Sequence, residues 1–244
     1  MHSVTVVIPA LNEAESIARV VRGVPCSAVD EIIVVDNGST DETAACARGA
    51  GARVVSQPRR GYGRACHAGI NALSPACTLV VFLDGDGSDA VEELGALVRP
   101  IVAGTHEFVI GSRTRGQREP GSMAAHQVLA GRIAGWALFA LYGTRYTDMC
   151  PFRAIDRAAL TRLPMSEFTY GWNLQMQALA ARARLRVLEI PVPHRRRFGG
   201  TSKVSGSVSG TFMASFRIAR VLASTVLSRI REGQRMSRAM RDAP

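Results

Sequence analysis

The sequence contains no uncharged apolar run approaching about 18 residues, the length at which a membrane-spanning helix becomes a candidate. The longest apolar stretches, at 133–144 and 204–216, are too short and too rich in small residues. The five cysteines are odd in number and form no CxxC pair, so we expect buried, reduced thiols. The chain enters an apolar strand at once, at 4–8, where a secretory leader would stand, so we expect a cytoplasmic protein.

Four kinds of functional motif are also missing. The turn after the first predicted strand reads PALNE, at residues 9–13, without the glycines of a dinucleotide-binding fingerprint. No GxxxxGK[ST] motif is present, which argues against a P-loop NTPase, and no histidine pair resembles a zinc motif. Base-reading modules are absent and aromatic residues make up only 6% of the chain, so we expect no nucleic-acid partner.

Lysine is almost absent, because Lys203 is the only one among 30 lysine and arginine residues. The net charge of +10 suits nucleic acid, anionic lipid or phosphorylated substrates. A bias toward arginine in the whole chain carries no chemistry by itself. A position that keeps lysine against this bias is a candidate for function.

Short β-branched runs alternate with helical stretches as far as residue 110, which predicts an α/β fold with a mainly parallel sheet flanked by helices. The predicted strands are 4–8, 31–36, 53–56, 78–83 and 107–110, and the predicted helices are 12–22, 40–49, 63–73 and 90–102. Beyond them we predict helices at 126–142 and 170–181, and strands at 186–190 and 192–196. Residues 1–206 are expected to form one domain, followed at 207–244 by a basic amphipathic helix and tail.

Polar motifs follow three of the predicted strands: PALNE, DNGST and DGDGS. Ligands of parallel sheets bind beyond the carboxyl ends of the strands, so these motifs should meet. Asp84 and Asp86, one residue apart after the apolar run LVVFL, suit a divalent cation that leaves coordination positions for phosphate oxygens. The alternative is an ordinary Asp-Gly turn.

The motifs VVIPALNE, VVDNGSTDET and FLDGDGS are followed by GSR, TDMCPFRAI, YGW and RFGGTSKVSG. In this order and at these spacings, the chain resembles the family 2 glycosyltransferases of the GT-A fold. The similarity spans about residues 4–216 and is greatest to the dolichyl- or polyprenyl-phosphate sugar synthases. It implies a nucleotide-diphospho-sugar transferase fold, a UDP- or GDP-sugar donor, Mg²⁺ or Mn²⁺, and an inverting transfer.

The resemblance also implies a donor site. The residues assigned to the nucleotide are Pro9, Ala10, Asn12, Glu13, Asp36, Gly63 and Asp84, and those assigned to the metal are Asp84 and Asp86. Many relatives carry Gln where this chain has Ser88, so water is a candidate to replace that metal contact. The alternatives are helix-dipole complementation for Glu13 and turn formation for Asp36 and for the glycine motif at Gly63.

Catalysis is assigned to Asp86 and to the RxxGxSK element, in which Arg197, Ser202 and Lys203 would close over the diphosphate. Cations there would stabilise the charge that develops on the leaving nucleotide. The alternative, favoured for Arg195 and open for Arg196, is an edge strand that is blunted by charge.

The acceptor side is assigned to Arg113, Arg153 and Trp172, with Asp148 as the candidate base if the acceptor is a neutral hydroxyl. Gln175 stands where relatives carry Glu, which excludes a base at that position. The alternatives are a solvated loop for Arg113, a buried ion pair between Asp148 and Arg153, and a core position for Trp172.

The acceptor itself stays open at this stage. A polyprenyl phosphate at the inner membrane surface is favoured by the arginine-rich loop at 111–122, the helix at 126–142 and the basic C-terminal stripe. The stripe suits a second subunit equally well, which would make the protein a homo-oligomer. A soluble hydroxyl acceptor is the main alternative, and a non-catalytic nucleotide-sugar binder is a further one.

Overall fold

The structure, a computed structural model, describes residues 2–199. Its strands are β1 (Val4–Ala10), β2 (Glu31–Asp36), β3 (Arg53–Ser56), β4 (Leu79–Phe82), β5 (Phe108–Ser112), β6 (Arg153–Asp156) and β7 (Val187–Pro191). Its α-helices are α1 (Ile17–Gly23), α2 (Thr43–Gly49), α3 (Tyr62–Asn71), α4 (Leu94–Val102), α5 (Ala125–Tyr142), α6 (Arg157–Thr161) and α7 (Trp172–Arg182). A short 3-10 turn, Val91–Glu93, leads into α4.

The strands form one seven-stranded sheet in the order β3-β2-β1-β4-β6-β5-β7. Four neighbouring pairs are parallel, and β6 runs antiparallel between β4 and β5. The predicted mainly parallel α/β sheet is therefore confirmed. The chain turns to opposite sides of β1 as it forms β2 and β4, and such a point opens a crevice at the carboxyl ends of the strands.

The strands that deliver the polar motifs are buried along their length. Every residue of β1 and of β4 is buried, as expected for β-branched runs covered on both faces. Helix α3 packs directly on β1, with Gly69 against Val7. The ends of β1 and β4 are consequently fixed in place by the core.

Two predicted helices begin later than expected. Asn12 adopts a positive φ of 50°, and the Ser16 N–H donates to the Glu13 carbonyl at 3.0 Å, so α1 starts only at Ile17. The Thr43 N–H donates to Asp41 Oδ1 at 3.0 Å, and α2 starts at Thr43. Polar side chains at both starts bond to backbone groups and favour turns over helix.

Two further differences lie after residue 150. The sequence prediction missed β6 and α6, and the predicted strand at 192–196 is wrong. His194 makes only isolated bridges there, to Asp89 and to Arg118. The backbone N–H groups of Val192, His194 and Arg195 bond to the carbonyls of Ser112, Gln117 and Ser88, which lie on different segments, so these residues form no continuous ladder with one strand.

Several predictions lie outside the described residues. They are the C-terminal helix, the boundary at residue 206, and Ser202 and Lys203 of the RxxGxSK element. Within residues 2–199, no helix is both long enough and apolar enough to cross a bilayer.

Gly69 tests how tightly α3 packs on β1. A Cβ at this position would overlap with Val7 Cγ1, so we expect Gly69→Ala to lower the free energy of unfolding by about 1–3 kcal/mol. Gly95→Ala, on α4, is the matched control. A Cβ there has no atom within 4 Å, so we expect a gain of about 0.5–1 kcal/mol from helix propensity. Urea denaturation measures both, and a Gly69→Ala variant as stable as Gly95→Ala would refute the close contact.

Candidate active site

A cavity of about 980 Å³ opens at the carboxyl ends of the strands, where the three polar motifs meet. Of the residues predicted from the sequence, it is lined by Pro9, Ala10, Glu13, Asp84, Asp86, Arg113 and Arg197. Its walls also carry Asn37, Arg60, Tyr62, Asn173 and His194, none of which the sequence analysis selected. The convergence that was expected from the alternation of strands and helices is thus present.

The turns after β1 and β2 brace each other beside the cavity. Asn12 Oδ1 accepts the Thr40 N–H at 2.8 Å, and the Asn12 N–H donates to Ser39 Oγ at 3.0 Å. Asp36 Oδ1 accepts the Ser39 N–H at 3.1 Å, which is the turn-forming contact of the alternative interpretation. Neither Asn12 nor Asp36 lines the cavity, and their contacts with a nucleotide stay predictions.

Asn37 holds the loop that leads to α3. It is buried, its amide donates to the carbonyls of Gln57 and Arg59 at 2.9 Å, and its Oδ1 accepts the Gly61 N–H at 2.7 Å. The sequence offered only the turn signal of DNG for this residue. Asn37 therefore fixes the position of the wall formed by Arg60 and Gly61.

Gly63 has a different role from the one expected. Its N–H donates to the Thr169 carbonyl at 3.2 Å, and the Arg64 N–H donates to the Phe168 carbonyl at 3.1 Å. A Cβ on Gly63 would overlap with the Glu167 carbonyl oxygen. The expectation that free N–H groups at this helix start approach the nucleotide is therefore wrong, because the loop at 166–170 occupies them.

Three carboxylates crowd the turn after β4. Asp89 is buried and its Oδ2 accepts the Asp84 N–H at 2.9 Å, while Asp86 Oδ1 accepts the Ser88 N–H at 2.9 Å. Burial raises the pKa of Asp84 and of Asp89, and the charges of the neighbouring carboxylates raise them further. The sequence analysis did not select Asp89, although it lies three residues after the DGD triplet.

Residues 194–199, which we call the arginine strap, cross this acidic turn. The Phe198 N–H donates to the Asp86 carbonyl at 3.0 Å and the Arg195 N–H donates to the Ser88 carbonyl at 3.0 Å. The guanidinium of Arg197 lies 2.7 Å from Asp86 Oδ2 and 3.5 Å from Glu13 Oε1. The strap thus brings a cation to two predicted site residues at once.

The acidic turn has the chemistry of a divalent cation site. Asp84 and His194 both line the cavity, and His194 Nδ1 is buried and unpartnered. Burial lowers the pKa of His194 to about 4, which keeps the imidazole neutral as a metal ligand must be. No cluster of three or more ligating side chains stands ready within residues 2–199. The protein can therefore supply only part of a coordination shell, which leaves room for phosphate oxygens.

On the other side of the cavity, Asp148 is paired with Arg113. Asp148 is buried, and the Arg113 guanidinium donates to both carboxylate oxygens at 2.8 Å. Burial alone would raise the pKa of Asp148, but the Arg113 hydrogen bonds and charge outweigh it and lower the pKa. The ion pair is thus made with Arg113 and not with Arg153, and a carboxylate held in this way is a poor proton acceptor.

Arg153 and Trp172 lie behind the wall of the cavity. Arg153 is fully buried, and its guanidinium donates to the carbonyls of Cys150 and Asn173 at 3.0 Å. Trp172 is fully buried too, with its ring 4.8 Å from that of Phe82 between centroids. The expectation that both contact the acceptor is corrected here, because neither has exposed surface with which to do so.

Gln175 also faces the interior. Its Oε1 accepts the N–H groups of Ser166 and Glu167 at 2.9 and 2.8 Å, and its Nε2 donates to Ser166 Oγ at 2.9 Å. The Gln175 amide therefore anchors the loop at 166–170, and this position carries no side chain that could act as a base.

Residues 5–163 match the model of the glycosyl transferase family 2. The chain is a member of this family. The matched segment contains both the acidic turn and the turns after β1 and β2.

This family 2 glycosyltransferase is similar to several known proteins. It is 37% identical to an uncharacterized glycosyltransferase of Mycobacterium tuberculosis, over 87% of this chain and 94% of that protein. It is 30% identical to the undecaprenyl-phosphate mannosyltransferase of Micrococcus luteus, over 85% and 89% of the two chains. Glucosyl-3-phosphoglycerate synthase of M. tuberculosis, solved with Mn²⁺, UDP-glucose and phosphoglyceric acid, superimposes with a TM-score of 0.73 at 26% identity, over 92% and 79% of the chains.

These relationships confirm the predicted family, the GT-A fold and glycosyltransferase activity. The donor class of nucleotide sugars is confirmed as well. The cation in the solved neighbour agrees with the predicted Mg²⁺ or Mn²⁺. The acceptor of the family 2 glycosyltransferase described here is left open, because the relatives' names point to both lipid-linked and soluble phosphates.

The buried ion pair of this family 2 glycosyltransferase can be tested by its effect on stability. We expect Asp148→Asn to lower the free energy of unfolding by about 3 kcal/mol, because Arg113 loses its buried partner. The lowered pKa of Asp148 stabilises the folded protein above the ordinary Asp pKa of 3.8, and this contribution is lost as the pH falls through the folded-state pKa. The difference between wild type and variant should thus be constant from pH 5 to 7 and shrink below about pH 4.

Glu31→Gln is the matched control, since it breaks the more exposed pair with Arg53 and should cost less than about 1 kcal/mol. Urea unfolding at pH 3 and pH 7 measures both variants. An equal effect of Asp148→Asn at the two pH values would show that the pair is not ionised.

Proposed function

We propose that the chain transfers a sugar, with inversion, from a UDP- or GDP-sugar to the phosphate of a polyprenyl-phosphate-type acceptor, assisted by Mg²⁺ or Mn²⁺. The observation that carries the proposal is the acidic turn itself. Asp84 and Asp86 line a cavity together with Arg197, at the edge of the sheet where the turns after β1 and β2 also end.

Asp86 and Asp84 would hold the cation, and phosphate oxygens and water would complete its coordination. When bound, the cation neutralises the negative charge that builds up on the diphosphate as the glycosidic bond breaks. The two carboxylates on the cavity wall support this assignment, because carboxylate oxygens are the protein ligands that Mg²⁺ and Mn²⁺ prefer. Ser88, at the position where relatives carry Gln, is buried beside them.

Arg197 would exchange one anionic partner for another during donor binding. Its guanidinium already lies in the cavity, between the carboxylates of Asp86 and Glu13. A guanidinium binds phosphate with two parallel hydrogen bonds, so a diphosphate offers it an equivalent partner. Lys203, six residues further along the chain, is proposed to act on the same diphosphate.

The charge of the cavity favours an anionic acceptor. Arg60, Arg113, Arg195 and Arg196 line it in addition to Arg197. A phosphate acceptor needs no general base, because it is already ionised. A phosphate acceptor therefore agrees with two features of the site: the Asp148 carboxylate is held in an ion pair, and the amide of Gln175 cannot act as a base. Undecaprenyl phosphate and phosphoglyceric acid, named for two of the similar proteins, both carry a phosphate.

The outer face of α5 supports the choice of a lipid-linked acceptor. Three of its large apolar side chains are more than half exposed, at 59% for Leu129, 57% for Ile133 and 75% for Trp136. Arg132 is exposed on the same helix, and Gln127 near its start lines the cavity. A membrane surface beside the cavity would bury this face and bring the lipid phosphate to the arginines. The enzyme would then lie on the inner face of the cytoplasmic membrane.

A soluble phosphorylated acceptor is the second candidate function. It is favoured by the similarity to the solved phosphoglycerate complex.

The acidic turn gives the decisive test of the chemistry. We expect Asp86→Asn to reduce sugar transfer by about 100-fold or more, because charge stabilisation at the leaving group is lost. Glu42→Gln, an exposed carboxylate at the start of α2, is the control and should retain full activity. Nucleotide release from UDP- and GDP-sugars, with and without EDTA, measures both. Undiminished turnover in EDTA would contradict the metal assignment.

The acceptor is tested on the full chain with vesicles of anionic lipid and undecaprenyl phosphate. We expect Trp136→Ser to weaken vesicle co-sedimentation at least about fivefold, because one large buried aromatic side chain contributes about 1.5–3 kcal/mol. Val102→Ser removes an exposed apolar side chain from α4 and should leave vesicle binding unchanged. Transfer to 3-phosphoglycerate without vesicle binding would favour the soluble acceptor.

A further inference from the structure

A buried carboxylate that the proposed reaction does not use lies in the edge strand β7. Glu189 stands in the middle of this strand, opposite Ile110 of β5, and its side chain is only 8% exposed. Its Oε1 accepts the Thr147 N–H at 2.9 Å and the Asp148 N–H at 3.2 Å, and its Oε2 accepts the Thr147 hydroxyl at 2.9 Å. One carboxylate therefore receives three donors from two consecutive residues of the loop before β6.

The charge of Glu189 does not stabilise the fold. Burial raises the pKa of Glu189, and the hydrogen bonds from Thr147 and Asp148 lower it only in part. A carboxyl group whose pKa is raised by folding is less stable as an anion in the folded protein than in the unfolded chain. Its ionisation therefore lowers the stability of the fold as the pH rises above the ordinary Glu pKa of 4.5. The gain from this side chain lies instead in the geometry of the loop to which it bonds.

The loop held by Glu189 carries the partner of Arg113. Asp148 follows Thr147 directly, and its carboxylate accepts the Nε–H and Nη2–H groups of Arg113 at 2.8 Å. The Arg113 backbone N–H donates to the same carboxylate at 2.9 Å, so both the main chain and the side chain of Arg113 are fixed. Arg113 lines the cavity with 17% of its side chain exposed. Hydrogen bonds among the described residues use its Nε and Nη2 groups, which leaves Nη1 for an anion.

A second set of contacts joins Glu189 to the loop after β5. The Thr147 hydroxyl lies 2.7 Å from Ser112 Oγ, and Arg115 Nη1 donates to the Glu189 carbonyl at 2.9 Å. Ser112 and Arg115 lie on either side of Arg113 in the chain. Glu189 is thus connected both to the segment that carries the guanidinium and to the loop that carries its partner.

We propose that Glu189 is a positioning residue for Arg113. It sets the place of the Arg113 guanidinium through the Asp148 loop, so that Nη1 meets the phosphate of the acceptor. The inference rests on the proposed function, which places an anionic acceptor beside the arginines of the cavity, and it deepens that function. Glu189 touches no substrate itself, because its carboxylate is turned toward the loop and does not line the cavity.

The placement of Arg113 can be measured by NMR without any acceptor. In protein that carries isotopically labelled arginine, the Arg113 Nε–H signal is identified by its loss in Arg113→Lys. We expect Glu189→Ala to speed the exchange of this N–H with water by about tenfold or more, because the Asp148 loop loses three hydrogen bonds. Glu189→Gln keeps an acceptor oxygen and should restore slow exchange.

The consequence for the reaction is measured by steady-state kinetics of the full chain. The donors are UDP-glucose and GDP-mannose, and the acceptors are undecaprenyl phosphate in anionic vesicles and 3-phosphoglycerate. We expect Glu189→Ala to raise the acceptor KM about tenfold and to leave the donor KM within about twofold, since one charge-assisted hydrogen bond to the acceptor is lost. Thr147→Val removes only the hydroxyl donor and keeps the side-chain shape, so it should raise the acceptor KM by a smaller factor.

Glu107→Ala is the matched control. Glu107 also ties two segments together, because it accepts the Arg186 N–H at 3.1 Å and pairs with Arg162. It stands directly before β5, at the end of the sheet away from the cavity. Its loss should change neither the exchange of the Arg113 N–H nor the acceptor KM.

The positioning role is overturned if Glu189→Ala leaves both the Arg113 exchange and the acceptor KM as in wild type. It is also overturned if Glu107→Ala has an equal effect, if both KM values rise equally, or if Glu189→Gln exchanges as fast as Glu189→Ala. Should Glu189→Ala fail to fold, Thr147→Val decides by the same two measurements. Wild type that transfers sugar to neither phosphate would overturn the proposed acceptor, while the Arg113 exchange would still decide the role of Glu189.

Discussion

Repulsion among the carboxylates after β4 is the constraint to which the rest of the site is fitted. Asp84, Asp86 and Asp89 lie within six residues of one another, and burial together with their mutual charge raises the pKa of Asp84 and Asp89. Such a turn is stable only if something positive or hydrogen-bonding meets it. Arg197 meets Asp86 from the arginine strap, and the Asp84 N–H is tied to Asp89. The same need for a positive or hydrogen-bonding partner suits the turn to the proposed cation and diphosphate.

Arg113 in the cavity wall and Arg153 behind that wall are both paired, but with different kinds of group. Arg113 forms a bidentate ion pair with the Asp148 carboxylate. Arg153 bonds instead to main-chain carbonyls, those of Cys150 and Asn173, which lie on either side of the cavity wall. One arginine therefore neutralises a carboxylate that would otherwise be a base, and the other joins two segments of the chain. Arg113 thus contributes to the cavity surface, whereas Arg153 contributes from behind the wall.

The sequence was sufficient to predict the fold class and the convergence of the three polar turns, because both follow from local periodicity and from the rule for parallel sheets. It also placed Asp86 and Arg197 in one site through the family resemblance. It was insufficient for β6, whose four residues are too short to show a period and pair antiparallel in the middle of the sheet. Gly63 and Trp172 were misassigned because their partners, the Thr169 carbonyl and Phe82, lie far away along the chain. Arg153 was misassigned because its partners are main-chain carbonyls, which no sequence motif reveals.

The fit between Phe198 and Gly87 has a consequence for the order of events at the site. Gly87 has no Cβ, and the Phe198 ring fills the space where one would be, with the Arg19 guanidinium 3.9 Å from its centroid. The neighbouring residue in the strap is Arg197, so the ring that packs on the acidic turn and the guanidinium that pairs with it belong to adjacent residues. A ligand that displaces Arg197 from Asp86 would therefore also move the Phe198 ring. The carboxylates would then become exposed to water at the same time as their paired cation is replaced.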